Sequence, residues 1–195
     1  MFWNVFPVAV LVLAPLGVPV PMYHHVTRLE TMTDQAAVAQ FTGAVDRYMN
    51  LRWMVEEPFE PEDLCSDPEE TQRGVERLAR LIRAERAAAR AGDIFSPAVA
   101  SLFRQHITAA RYELGAEVAT YLEDAEVQSL IELPRVEVNE SLRWNTGDVL
   151  WPFLLRRLPS LPPELEYRFV GRDLVLVDVG INLVVDILEN AEDAS

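Results

Sequence analysis

The sequence is poor in the residues that build several common functional sites. Cys65 is the one cysteine among 195 residues, which excludes an internal disulfide framework and any zinc site made of several cysteines. The eight glycines form no glycine-rich loop, so there is neither a P-loop nor a dinucleotide-binding fingerprint. Lysine is absent, and 17 arginines face 31 acidic side chains. The net charge of −14 argues against nucleic-acid binding, since the phosphate backbone rewards basic surfaces.

Charge is also absent from the beginning of the chain, where the first charged side chain is Arg28. Residues 5–20 are almost continuously apolar, but the run is shorter than the roughly 20 residues of a membrane-spanning helix and contains prolines. Its length suits the apolar region of a secretory signal peptide. We therefore predict that residues 1–27 are a cleaved export signal. The alternatives are a membrane anchor retained at residues 5–20 and an apolar arm packed on the domain.

Helical patterns dominate residues 28–128. A first helix is expected at 34–55, capped by Thr33 or Asp34, because apolar side chains recur there every three or four residues. The side chains expected on its buried stripe are Val38, Phe41, Val45 and Tyr48.

Two further helices have clear capping signals. The second is expected from the capping box that begins at Ser66 to a C-terminal cap at Gly92. Its arginines, several of which follow a glutamate by four residues, predict a solvated, salt-bridged face rather than a nucleic-acid surface. The third is expected from Pro97, with the Ser96 hydroxyl as its cap. A fourth, shorter helix is expected beyond Gly115.

The helical period is lost at residues 129–160, which we predict to be an irregular connection with one short helix before Pro159. Residues 161–188 are rich in β-forming residues and predict an antiparallel meander, followed by an acidic tail at 189–195. Residues 182–189 are open to a helical alternative. The expected strands are 166–170, 173–179 and 183–188. The sequence therefore predicts an α+β fold, with an N-terminal bundle of three to four helices and a small C-terminal meander in one domain over 28–195.

The C-terminal segment carries a recognisable pattern. Residues 161–188 combine a proline-rich lead, a strand with aromatic residues, the motif V-G-x-D at 170–173 and a final valine-rich strand. In this they resemble the C-terminal module of the periplasmic nickel/cobalt-homeostasis family, which implies a small meander in an exported protein. The resemblance carries over no metal ligands, because this tail has no His, Cys or Met. From about Phe41 onward, the chain also resembles a group of uncharacterised exported bacterial proteins through GDIFSP at 92–97 and the pattern at 158–174.

Few residues point to metal binding or catalysis. Cys65 lies in an acidic stretch, which we expect to raise the pKa of its thiol and to lower its reactivity. His106 falls on the apolar face of the third helix, where a core or boundary histidine is more common than a ligand. Cleavage before Met22 would place His24 third in the mature chain, a position that binds Cu(II) or Ni(II). The weak metal candidates are His24, His25, Glu60, Glu62 and Asp63, the acidic ones having a solvated connection as their alternative.

Aromatic residues provide one further candidate site. Trp144, Trp151 and Tyr167 would suit the floor of a carbohydrate or peptide groove, or would anchor the 129–160 connection on the core.

We predict an exported, periplasmic or secreted protein that is not an enzyme, has no cofactor, and binds another protein or an envelope component. It would touch the membrane only through its leader and would bind no nucleic acid. The alternatives are a periplasmic metal-homeostasis or metal-binding protein and a hydrolase that uses scattered acidic residues.

Overall fold

The structure, a computed structural model, has the predicted α+β architecture. Its described residues are 22–57, 68–114, 135–143, 146–150 and 152–191. The helices of this part are α1 (Met22–Glu56), α2 (Pro68–Glu85), α3 (Pro97–Leu114) and the one-turn α4 (Pro152–Leu155). The strands are β1 (Asp148–Val149), β2 (Leu165–Val170), β3 (Asp173–Asp178) and β4 (Leu183–Leu188). The fourth helix expected beyond Gly115 lies outside the described residues.

The first helix begins earlier than predicted. Helix α1 starts at Met22, so Thr33 and Asp34 lie within the helix and the predicted cap is wrong. The reason is that no proline separates Pro21 from Pro58, and proline is the residue that interrupts a helix. The helix thus includes residues 22–27 of the predicted leader, whose cleavage stays a prediction.

The first helix buries three of the four side chains expected on its buried stripe, and the second helix ends earlier than expected. Phe41, Val45 and Tyr48 are buried, but Val38 is 37% exposed, so its place on the buried stripe is wrong. Helix α2 ends at Glu85, not at Gly92. The carbonyl of Arg86 accepts a 2.7 Å hydrogen bond from the side-chain amide of Asn139, so it is engaged by another segment at the helix end.

The predicted meander is present, with β4 as a strand rather than a helix. The four strands are antiparallel in the order β1-β2-β3-β4, and β3 pairs with both β2 and β4. Strand β1 was not expected, because it lies within the predicted irregular connection. Gly147 makes it possible: with φ +81°, it lies so close to β2 that an added Cβ would be 2.5 Å from the Phe169 carbonyl oxygen.

Both faces of the sheet are covered. One face packs against the helices through an aromatic cluster in which the Phe41 and Phe103 rings lie 5.1 Å apart and Tyr167 stacks on Phe41. On the other face, Val175, Val177, Val184 and Ile187 pack with residues of the 135–143 segment. The same segment pairs with the free edge of β4, through Asn139 N to Val184 O and Leu142 N to Asn182 O. The edge strand is therefore protected against pairing with other chains.

Candidate functional site: an arginine cleft beside two buried carboxylates

Asp186 fixes the chain between α2 and α3. It lies in β4 with no exposed surface, and its carboxylate accepts hydrogen bonds from the backbone N–H groups of Gly92, Ile94 and Phe95 at 2.6–2.8 Å. Gly92 adopts φ +89°, a left-handed conformation that favours glycine. Burial raises the pKa of Asp186, and the backbone hydrogen bonds lower it only in part.

Asp178 fixes α1 against the sheet by different means. It is fully buried at the end of β3 and accepts hydrogen bonds from the Tyr48 hydroxyl and the Arg52 Nε, both at 2.8 Å. Arg52 also pairs with Glu56 one turn later. Burial lowers the pKa of Arg52, but the two carboxylates raise it by more, so the guanidinium stays charged. Burial and the nearby Asp178 also raise the pKa of Tyr48, which keeps its hydroxyl a hydrogen-bond donor.

Arg83 in α2 and Arg86 in the turn after α2 hold the 139–141 segment in place. Arg83 donates to the Asn139 carbonyl at 2.8 Å and to the Ser141 hydroxyl at 2.6 Å. Arg86 donates to the Asn139 side chain and to the Val185 carbonyl, and its guanidinium lies 5.0 Å from the centre of the Tyr48 ring. The predicted solvated role is therefore wrong for Arg83 and Arg86, which link segments far apart in sequence.

A cleft of about 650 Å³ lies between α2 and these connections, within the usual size range of ligand sites. We call it the arginine cleft, because Arg80 and Arg83 line one wall and Arg143 the other. The remaining lining residues are Gln72, Val75, Glu76, Ala79, Ser141, Leu142, Ile181 and Asn182.

The arginine cleft has an apolar floor and a polar rim. Ala79, Leu142 and Ile181 are buried, whereas Arg80 and Arg143 are exposed. Among the residues that the structure describes, neither Arg80 nor Arg143 has an ion-pair or hydrogen-bond partner for its side chain. Within the described part of the chain, the cleft therefore presents guanidinium groups without a side-chain partner above an apolar surface.

The candidate residues from the sequence are not brought together by the described structure. His24 and His25 lie in the first turns of α1, where only the backbone is described. Glu60, Glu62, Asp63, Cys65, Trp144 and Trp151 lie outside the described residues. Within the described ranges, no group of three or more His, Cys, Asp or Glu residues is placed to hold a metal ion.

Tyr167 does not line a groove. It is 2% exposed, and its hydroxyl donates a 3.1 Å hydrogen bond to the Pro159 carbonyl. This is the anchoring role that the sequence analysis gave as the alternative for the aromatic set. His106 is half-buried, and burial lowers its pKa, as expected for a histidine at the boundary of the core.

Sequence reasoning missed the buried carboxylates and the arginine cleft. A signal for the carboxylates was present, because Asp178 and Asp186 interrupt strongly apolar strands, where an unpaired charge is too costly to bury. No local signal identifies the cleft, since its walls are separated by about 60 residues of chain.

Comparison with known proteins adds no relative. Scans of the chain against protein-family models, curated proteins and solved structures found no match. Among the described helices, none combines the length and apolar character needed to cross a membrane.

Proposed function

We propose that this chain is an exported, periplasmic or secreted protein that binds another protein or an envelope component and catalyses no reaction. The uncharged, apolar leader at 1–27 supports export. The binding surface in this proposal is the arginine cleft. The cleft is the observation that carries the proposal, because its volume is typical of ligand sites and it has an apolar floor and a polar rim.

The frame around the cleft also supports a role in binding. Arg83 and Arg86 fix the 139–141 wall to α2 and the turn after it through three hydrogen bonds, and Asp186 fixes the chain that follows α2. Walls that are held in place before a ligand arrives lose less conformational entropy on binding. The cleft is therefore suited to recognition by a preformed surface.

Site-specific photocrosslinking tests the binding proposal. A photoreactive benzoylphenylalanine would replace Gln72 in the cleft wall or, as the control, Arg156, an exposed residue outside the cleft. We expect the cleft probe to crosslink one envelope or secreted protein, identified by mass spectrometry, and the control probe to miss it. The same partner should be lost when Arg80→Ala and Arg143→Ala are introduced with the Gln72 probe. Equal crosslinking from both positions would contradict the proposal.

Intact mass and N-terminal sequencing of protein from the native envelope fraction test the export proposal. A cleaved signal predicts the loss of about 20–27 residues, near the end of the uncharged segment. A full-length chain in the membrane fraction would favour the retained anchor at 5–20. A full-length chain in the cytoplasm would contradict export.

A further inference from the structure

We propose that the arginine cleft recognises carboxylate groups on an acidic, otherwise apolar segment of a partner protein. This inference rests on the proposed function, because it assigns the ligand chemistry of the same cleft. It follows from the charges at the rim, the fixed position of one arginine and the character of the floor.

The rim of the cleft is basic in a strongly acidic protein. Among the described residues, the three guanidinium groups of Arg80, Arg83 and Arg143 line it beside one carboxylate, that of Glu76. Glu76 accepts a 2.9 Å hydrogen bond from Gln72, a neighbour on the same helix. The chain as a whole carries a net charge of −14, so this local excess of positive charge opposes the overall composition. An anionic group is the complementary ligand.

The arginines are also arranged for directed hydrogen bonds. Arg83 is held by the Asn139 carbonyl and the Ser141 hydroxyl, which places its guanidinium between the two walls. Arg80 and Arg143 have no side-chain partner among the described residues and remain available for a ligand. A guanidinium presents a planar fork of N–H donors that matches the two oxygens of a carboxylate.

The floor favours a polypeptide over a polyanion. Ala79, Leu142 and Ile181 give an apolar base that suits the side chains flanking an acidic residue in a peptide. Nucleic acid or an anionic membrane would extend beyond the cleft onto a protein whose net charge is −14. A short segment with one or two carboxylates avoids that repulsion, because screening limits each charge to about 10 Å at ordinary salt.

Binding to a peptide array tests the inference. The full-length protein would be applied to immobilised eight-residue peptides, in which each member with Asp or Glu among apolar residues has a matched Asn or Gln counterpart. Selected peptides would then be titrated in solution by fluorescence polarisation. We expect acidic members to bind about tenfold or more tightly than their amide counterparts, and added salt to weaken them.

Matched variants locate the binding. Arg80→Ala with Arg143→Ala should reduce affinity for the acidic peptides by about tenfold or more, whereas Arg90→Ala with Arg156→Ala removes the same charge outside the cleft and should not. Replacing Arg80 and Arg143 by Lys keeps the charge but loses the planar fork, so affinity should recover only in part. Circular dichroism would verify that each variant is folded.

The outcomes separate this inference from the proposed function. A second outcome is that the protein selects apolar peptides without acids, and that Ala79→Trp, which fills the cleft, abolishes their binding. That result would overturn carboxylate recognition and retain a binding cleft. Absence of any peptide sensitive to Arg80 and Arg143 would overturn the inference, while the photocrosslinking result decides the binding function by itself. Equal binding of inorganic phosphate and the acidic peptides would also overturn it.

Discussion

The sheet buries two aspartates by two different means. Asp178 meets side chains of α1, a cation and a hydroxyl that lie more than a hundred residues away in the sequence. Asp186 instead meets three backbone N–H groups of the 92–95 turn. Both side chains have no exposed surface, so each requires its partners to offset the cost of losing water.

The difference lies in what each aspartate constrains. Asp178 fixes a helix through the identity of two side chains, so its network depends on Tyr48 and Arg52. Asp186 fixes the path of the backbone. Its partners are backbone N–H groups, so the identity of the residue matters mainly at Gly92, where the turn is left-handed. The chain fixed by Asp186 leads from α2 into α3, and α2 carries one wall of the arginine cleft. Breaking each network in turn therefore tests which one contributes more to the free energy of unfolding.

Loss of the Asp186 carboxylate should have the largest effect. Asp186→Ala leaves the N–H groups of Ile94 and Phe95 buried without an acceptor, and that of Gly92 partly so. Since each buried donor left unpaired costs about 1–3 kcal/mol, we expect the free energy of unfolding to fall by about 4 kcal/mol. Urea denaturation measures it. Asp173→Ala, which removes a carboxylate with one exposed hydrogen bond, is the control. A loss below about 1 kcal/mol would mean that other acceptors replace the carboxylate.

Removal of the cation beside Asp178 should have the second largest effect. Arg52→Met leaves the carboxylate buried, with the Tyr48 hydroxyl and the Gly180 N–H as its remaining donors among the described residues. Removing one partner of a buried ion pair costs about 3–5 kcal/mol. Because two donors remain, we expect the free energy of unfolding to fall by about 3 kcal/mol. A double-mutant cycle with Asp178→Asn, also followed in urea, should recover part of the loss. Additive effects of the two changes would show that the pair is not coupled.

The sequence predicts the sheet much better than the cleft. Each expected strand lies within one residue of β2, β3 or β4, because the turns at Gly171 and near Asn182 are local signals. The start of α1 was misplaced because Thr33 and Asp34 are typical capping residues, whereas the helix extends back to Met22 with no proline to interrupt it.

The cleft depends on contacts that no local pattern contains. Arg83 and Arg86 follow the same spacing as the exposed arginines of α2, and they differ only because Asn139 lies opposite them in the fold. Helix α3 and the 115–134 segment, which lies outside the described residues, separate the two walls in the sequence. Spatial neighbours of this kind are decided by tertiary packing, so periodicity alone does not identify them.

Gly92→Ala should destabilise the Asp186 network by a smaller amount. The residue adopts φ +89°, while an added Cβ would lie 3.7 Å from the Phe95 carbonyl oxygen, an ordinary contact. The cost is therefore conformational and should be about 1.5 kcal/mol in urea denaturation. Gly43→Ala is the matched control: it lies inside α1 with space for a methyl group and should stabilise by about 0.5–1 kcal/mol. A neutral Gly92→Ala would show that the turn relaxes without losing its hydrogen bonds to Asp186.

The smallest expected effect is a pH dependence that distinguishes burial from hydrogen bonding at Asp186. Burial raises its pKa in the folded state above the ordinary value of 3.8, so the folded protein holds this proton more tightly than the unfolded chain. Its contribution to stability is fully present below that ordinary value and is lost as the pH rises through the folded pKa. Asp186→Asn lacks this titration, so its deficit in unfolding free energy relative to the wild type should shrink between pH 4 and pH 8. Asp46→Asn, on the exposed side of α1, controls for the loss of one negative charge. A deficit that grows with pH would show instead that the three N–H groups stabilise the carboxylate by more than burial costs it.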